Sequence, residues 1–198
     1  MTTSTRSNRH AHPALRCARA SAVLLGIATA SSLLAAPVAQ AAAAPKAPSE
    51  GICGKIGTAS VSAIVGYSVP TPSVDTLTLP ATKKNDEISS VVTSCTYGSE
   101  TSLAALPKDV IIDYVVTSRS LTAAEIKKGL AQEQQLKMTF LPYSGLGVKA
   151  YYYSFTESGI TIQGLTAFEG TKDYGASTYS KLTSKSQLAS LVRLAEKL

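Results

Sequence analysis

The run "DVIIDYVVTS", residues 109–118, limits the folds open to this chain more than any other stretch. Val110, Ile112, Tyr114 and Val116 fall on one side at a period of two, and Ile111 and Val115 fall on the other. A strand that is apolar on both sides needs cover on both, so the run predicts a central strand with a layer on each face of its sheet. One acid interrupts it. Asp113 is either an outward or lysine-paired residue, or a buried carboxyl able to exchange a proton.

Other runs read as partners for that strand. "SSVVTSCTYGS" sets Val91, Cys95 and Tyr97 on one side at period two. "VPTPSVDTLTLPA" carries Pro70, Pro72 and Pro80 and reads as an irregular segment or edge strand, because proline cannot donate to a ladder. "TKKNDEIS" reads as a charged, solvated turn. Beyond Pro142 and Gly145, "KAYYYSFTESGITIQGLTAF" reads as a hairpin turned at Glu157, Ser158 and Gly159, and "EGTK" turns into a short strand near 172–178.

Three helices are predicted. The first is short, capped by Thr58, with Val61, Ile64 and Val65 on one face and Gly66 at its stop. The second has a capping box, Thr122 with Glu125, and a hydrophobic staple, Leu121 with Ile126. It is expected to run to about Met138, with Ile126, Leu130, Glu133 and Lys137 roughly in line. Its thin apolar stripe suits the surface of a sheet. The third opens at Ser184 with Gln187 and lines up Leu188, Leu191, Val192, Ala195 and Leu198, leaving Lys185 and Lys197 to water. The order α-β-β-β-α-β-β-β-α lacks βαβ alternation, so the fold class is α+β. It is a single antiparallel sheet with a short N-terminal helix, a middle helix and a C-terminal helix packed on it, sandwich-like in its α/β/α layering.

Residues 1–41 read as a signal peptide. Arg6, Arg9, Arg16 and Arg19 precede an apolar run from about Ala22 to Ala36, and Ala39-Gln40-Ala41 offers a cleavage site. A retained N-terminal anchor is the alternative, disfavoured by the shortness of the run. Residues 42–49 read as a flexible leader and 50–198 as one domain. The whole chain has 19 Lys+Arg against 13 Asp+Glu, a net of +6. Four of those Arg leave with the signal, so 15 basic side chains face 13 acids, a net of +2. With Arg119 and Arg193 as its only guanidinium groups, a mature chain of that balance gives no footprint for nucleic acid.

His10, His12 and Cys17 also leave with the signal. Cys53 and Cys95 remain, and in an exported chain an even pair reads as a disulfide. A two-thiol metal site is the alternative, and it would need carboxylates to complete its coordination. No metal or cofactor is expected.

"SGLGVKAYYYSF", residues 144–155, contains the G-x-G-x-x-A spacing of a dinucleotide-binding turn. That turn needs a strand before the glycines and a helix after them. Here a helix is predicted before and a strand after, so Gly145 and Gly147 read as a sharp entry into the sheet. Tyr151, Tyr153 and Phe155 then share one face of the strand, with Tyr152 on the other. They form either an aromatic core or a binding surface for a sugar, peptide or lipid, since tyrosine joins a flat apolar body to a polar tip.

Taken together, "ICGKIGTASVSAIVG", "SCTYG", the capped middle helix, "GLGVKAYYY" and "LASLVRLAEKL" resemble exported actinobacterial domains of unknown function, many of them lipoproteins. Those domains are similar in layout to the sensor-like extracellular domains of mycobacterial receptor kinases. The resemblance implies a layered sandwich on an antiparallel sheet, like the PsbP photosystem extrinsic subunit, and brings no catalytic residues. This chain has no lipobox cysteine, so a released, secreted and monomeric protein without a stable membrane anchor is expected.

Without histidine, Ser-His-Asp and Cys-His arrangements are excluded from the mature chain. The reading is a secreted, non-catalytic binding or interaction domain of the cell envelope or extracellular space, whose partner is a small molecule, lipid, sugar or protein. The alternatives are a secreted hydrolase with a carboxylate pair, or a protein-protease inhibitor acting through "TLPATKKND".

Overall fold

The computed structural model describes residues 51–83, 87–98, 108–157, 159–179 and 183–197. Residues 1–41, read above as a signal peptide, residues 42–49, read as a leader, and Ser158, Leu198 and the end of the "TLPATKKND" segment lie outside the described residues. In chain order the elements are α1 (Gly51–Ile56), α2 (Thr58–Val65), β1 (Ser73–Leu79), β2 (Ser90–Tyr97), β3 (Val110–Thr117), α3 (Ala123–Gln134), β4 (Thr139–Tyr143), β5 (Lys149–Glu157), β6 (Ile160–Glu169), β7 (Lys172–Thr178) and α4 (Lys185–Glu196).

The strands form one antiparallel seven-stranded sheet in the order β1-β2-β3-β7-β6-β5-β4. It is built from two meanders, β1 to β3 and β4 to β7. The α3 segment carries the chain from the first to the far edge of the second. They close where β3 pairs with β7, from Val110 opposite Thr178 to Val116 opposite Lys172. β3 therefore has a neighbour on each side and is buried at every position but Val116, as a run apolar on both faces requires.

Registers place Cys95, Ile112, Ala176, Leu165 and Tyr152 in one row across the first face. Over this face lies the main core, to which α1, α2 and α4 contribute. Leu188, Leu191, Val192 and Ala195 of α4 are all at 0% exposure, while Lys185 and Lys197 are exposed. Ser184 caps α4, and Gln187 completes the box by accepting from the Ser184 N–H at 2.8 Å. The Gln187 amide also donates to the Ile64 carbonyl at the end of α2, at 2.8 Å.

Three features differ from the sequence expectation. The N-terminal helix is two helices, broken at Gly57, whose φ of 68° is left-handed. Gly57 is the N-cap of α2, and no side chain caps it, so Thr58 is the first helical residue and not the cap. The break gives α1 its own direction and brings Cys53 to β2. The middle helix stops at Gln134, not near Met138. Lys137 takes a φ of 65°, which reverses the chain into β4. That strand, "TFLPY", was expected neither as a strand nor as a neighbour of β5; its single proline and short length hide it from a period-two search.

Cys53 and Cys95 are joined by a disulfide with Cα atoms 5.5 Å apart, and both lie in the core at 1% exposure. With a sequence separation of 42, the loop-closure relation gives about 4 kcal/mol of stabilisation. Reduction in denaturant followed by refolding under reducing conditions is expected to lower the melting temperature by at least about 8 °C, at roughly 2–4 °C per kcal/mol for a domain of this size. An unchanged melting temperature would show that the bond is not what holds α1. Separately, Leu191→Ala, measured by urea unfolding, is expected to cost about 2–5 kcal/mol. A cost under about 0.5 kcal/mol, the size of an ordinary surface change, would place α4 loosely on the sheet.

Candidate functional site

The tyrosine strand has the periodicity read from the sequence, and most of its row is core. Tyr153 is 2% exposed and Phe155 8%, clustered with Ile111, Met138, Ile162 and Tyr179. The Tyr153 ring lies over Gly164, where any Cβ would collide with it. It also packs against Phe140, with ring centroids 5.7 Å apart. Tyr151 is half-buried, edge-on to Phe168 at 6.2 Å and beside Ile126 and Leu130 of α3. Tyr152, on the first face, donates to the Gln163 Oε1 at 2.9 Å and lies under Lys185 Nζ, 4.5 Å from its ring centre.

The glycines before this strand sit in the turn between β4 and β5. A strand precedes them, where a helix was expected, and a strand follows. There is no helix N-terminus in place to receive a pyrophosphate. Instead the Gly145 carbonyl accepts from Arg193 of α4 at 2.8 Å, and the Tyr143 ring occupies the space a Gly145 side chain would need. Gly147 takes a φ of 77° to complete the turn.

The most polar part of the interior is on the second face. Registers align Asp75, Ser94, Asp113, Gly175, Thr166 and Tyr151 in one row across six strands. Asp75 at the edge is exposed, Ser94 is half-buried and Asp113 is 2% exposed. Ser94 Oγ donates to Asp113 Oδ1 at 2.6 Å, while Asp113 Oδ2 has no hydrogen-bond partner. Gly175 borders this carboxyl: a Cβ there would meet Asp113 Cβ at 3.4 Å, an ordinary van der Waals contact. The two readings of Asp113 thus resolve toward burial.

Three more acids are buried: Asp109 just before β3, Asp173 on β7 of the same face and Glu133 on α3. Glu133 Oε2 also has no partner. Burial pushes Asp113 up to about 6, against the pull of the Ser94 hydrogen bond, and pushes Asp173 and Glu133 each up to about 7. Glu133 stood in line with Ile126 and Leu130 in the sequence, and that alignment was the signal for its inward position. Ser94 and Asp173 gave no such signal, because only the register reveals which residues they face. Among the described residues, no group of three or more His, Cys, Asp or Glu is arranged to hold a metal ion, and no helix is long and apolar enough to cross a membrane.

No family model, curated protein or solved structure matches the chain.

The three raised acids set the pH dependence of stability. Their folded pKa values lie above the ordinary carboxyl range near 4, so the folded chain binds these protons more tightly than the unfolded chain. Their contribution is fully present below about pH 4 and is lost as the pH rises through about 6 to 7. Glu125 has the opposite sign, because its hydrogen bond from Arg119 holds it down to about 2. Its contribution is lost only as the pH falls from about 4 through about 2. The melting temperature at pH 5 is therefore expected to exceed that at pH 7.5 by several degrees. Asp113→Asn, which cannot ionise and still offers Ser94 an acceptor, should flatten the rise. A melting temperature that falls steadily between those pH values would contradict the assignment.

Proposed function

We propose that this chain is an exported, non-catalytic binding or interaction domain acting in the cell envelope or extracellular space. One contrast carries the reading. Asp113, the acid singled out for chemistry, is closed off at 2% exposure, whereas β1 is exposed at every position but Leu79. A carboxylate hydrolase needs its acid in reach of substrate, and a binding domain needs an accessible recognition surface. The buried disulfide suits an oxidising compartment. With Tyr153 and Phe155 committed to packing, half-buried Tyr151 is the member of that row still partly open to a ligand.

The test is binding of the labelled, disulfide-intact chain to isolated cell-envelope fractions. Saturable binding without turnover of the envelope polymers is expected. Release of sugar or peptide fragments that Asp113→Asn abolishes would favour the hydrolase.

A further inference from the structure

β4 is the outer strand at the far edge of the sheet, with β5 as its partner among the described residues. Leu141 on it is 47% exposed, and Pro142 beside it is exposed. Tyr143, at the end of β4, and Leu146 and Val148 in the turn that follows are half-buried against the margin of the main core. The Tyr143 ring fills the space beside Gly145, and Arg193 of α4 donates to the Gly145 carbonyl at 2.8 Å, so the tip is held in one shape. Three exposed cations surround it. Lys149 opens β5, and Arg193 stands at the turn. Lys185 lies over the ring of Tyr152, the cross-strand neighbour of Leu141. The sequence has no acid between Lys137 and Thr156. Glu157 stands at the far end of β5, and Glu196, the one acid of α4, lies toward Tyr174 on β7.

We infer that the β4–β5 turn is a docking tip for an anionic lipid surface, which receives Leu141 and Pro142 while Lys149, Lys185 and Arg193 meet its head groups. This deepens the binding-domain reading and rests on it. The occupant follows from charge and from what the edge refuses. An added strand is opposed, because β4 has five residues and its proline cannot donate to a ladder. A second copy docking tip to tip would set like charges against each other. A lipid surface suits both features of the tip at once. Apolar side chains gain from the acyl boundary, and basic ones gain from anionic head groups. Lysine and arginine can reach those head groups while their stems lie along apolar surface.

Each basic side chain near such a surface strengthens partition about fivefold at low salt. Three together supply about a hundredfold, and screening weakens that steeply once the Debye length falls below about 10 Å. The docking is therefore reversible and salt-sensitive, and it needs no spanning helix.

The experiment mixes the disulfide-intact chain with vesicles of phosphatidylcholine alone or of mixed phosphatidylglycerol and phosphatidylcholine. Co-sedimentation should show saturable binding to the anionic vesicles, little to the neutral ones, and release in high salt. Lys149→Ser should weaken binding about fivefold without lowering the melting temperature, and Lys149→Arg should preserve it. The chain has no tryptophan, so Leu141→Trp gives a single reporter. Its emission should move to the blue on anionic vesicles, whereas that of Leu77→Trp on β1 should not. Equal binding to both vesicles, binding undiminished by Lys149→Ser, or an unmoved Leu141→Trp emission would overturn the proposal. So would capture by soluble polyglutamate but by no vesicle, which assigns the tip to an acidic protein segment. Sedimentation of the chain alone as a dimer that Leu141→Asp dissolves would assign the tip to a second copy and overturn it too. Envelope fractions bound while neither vesicle is bound would remove the tip and keep the binding-domain reading; no envelope binding at all would remove that reading instead.

Discussion

The disulfide between Cys53 and Cys95 supports a layer whose parts are too small to form alone. α1 has six residues and α2 eight, and isolated helices of that length are not stable in water. Each must be held by what it packs on. The disulfide fixes α1 to the face of β2, and the buried Tyr97 hydroxyl adds a hydrogen bond to the Cys53 carbonyl at 3.4 Å. Gly57 then redirects the chain so that Val61 and Val65 of α2 enter the same core. The apolar face of β3 is covered because these short pieces stay in place.

The other end of the chain completes that cover, and Gln187 shows how. A capping box accepts glutamate or glutamine at its third position. Glutamate would cap Ser184 equally well, but it has no N–H to give. The glutamine amide caps α4 with its oxygen and donates from its nitrogen to Ile64, one of the carbonyls left over at the end of α2. One side chain therefore ties the two terminal layers together. Arg193 extends the same helix to the β4–β5 turn through Gly145. α4 thus touches both ends of the sheet's history: the helix before its first strand and the hairpin that opens its second meander.

What could be read from the sequence was what is local or periodic. The two-sided run at 110–116, the Thr122–Glu125 and Ser184–Gln187 boxes and the apolar stripe of α4 each express their structure within a few residues, and each stands where it was read. Features that depend on distant partners were not legible. β4 is a strand because β5 offers it a ladder, and nothing in "TFLPY" shows that. The end of α3 depends on Lys137 taking a left-handed conformation that its residue type does not favour. The tyrosine row was assigned to the right face, but whether a face is wet or dry is decided by what packs over it, here Phe140, Met138 and Phe168. The same holds for Asp113, whose neighbours Ser94 and Gly175 come from strands at opposite sides of it.

The two faces of the sheet end up chemically unequal, and the inequality explains where polar groups can be tolerated. The first face carries the disulfide, three helices and an almost wholly apolar core, which supplies the stability. The second has α3 packed against β4 and the tyrosine row, and includes buried acids that burial drives toward their neutral forms. A charged carboxylate at Asp113 would have to shed its water with only Ser94 to compensate, so the proton is the less costly companion. Toward β1 that constraint relaxes step by step: Ser94 is half-wet and Asp75 is in solvent. The row is thus a gradient from a sealed acid on an inner strand to a solvent-exposed acid on the outermost strand. There the carboxylate keeps contact with water, and the desolvation that burial imposes on Asp113 falls away.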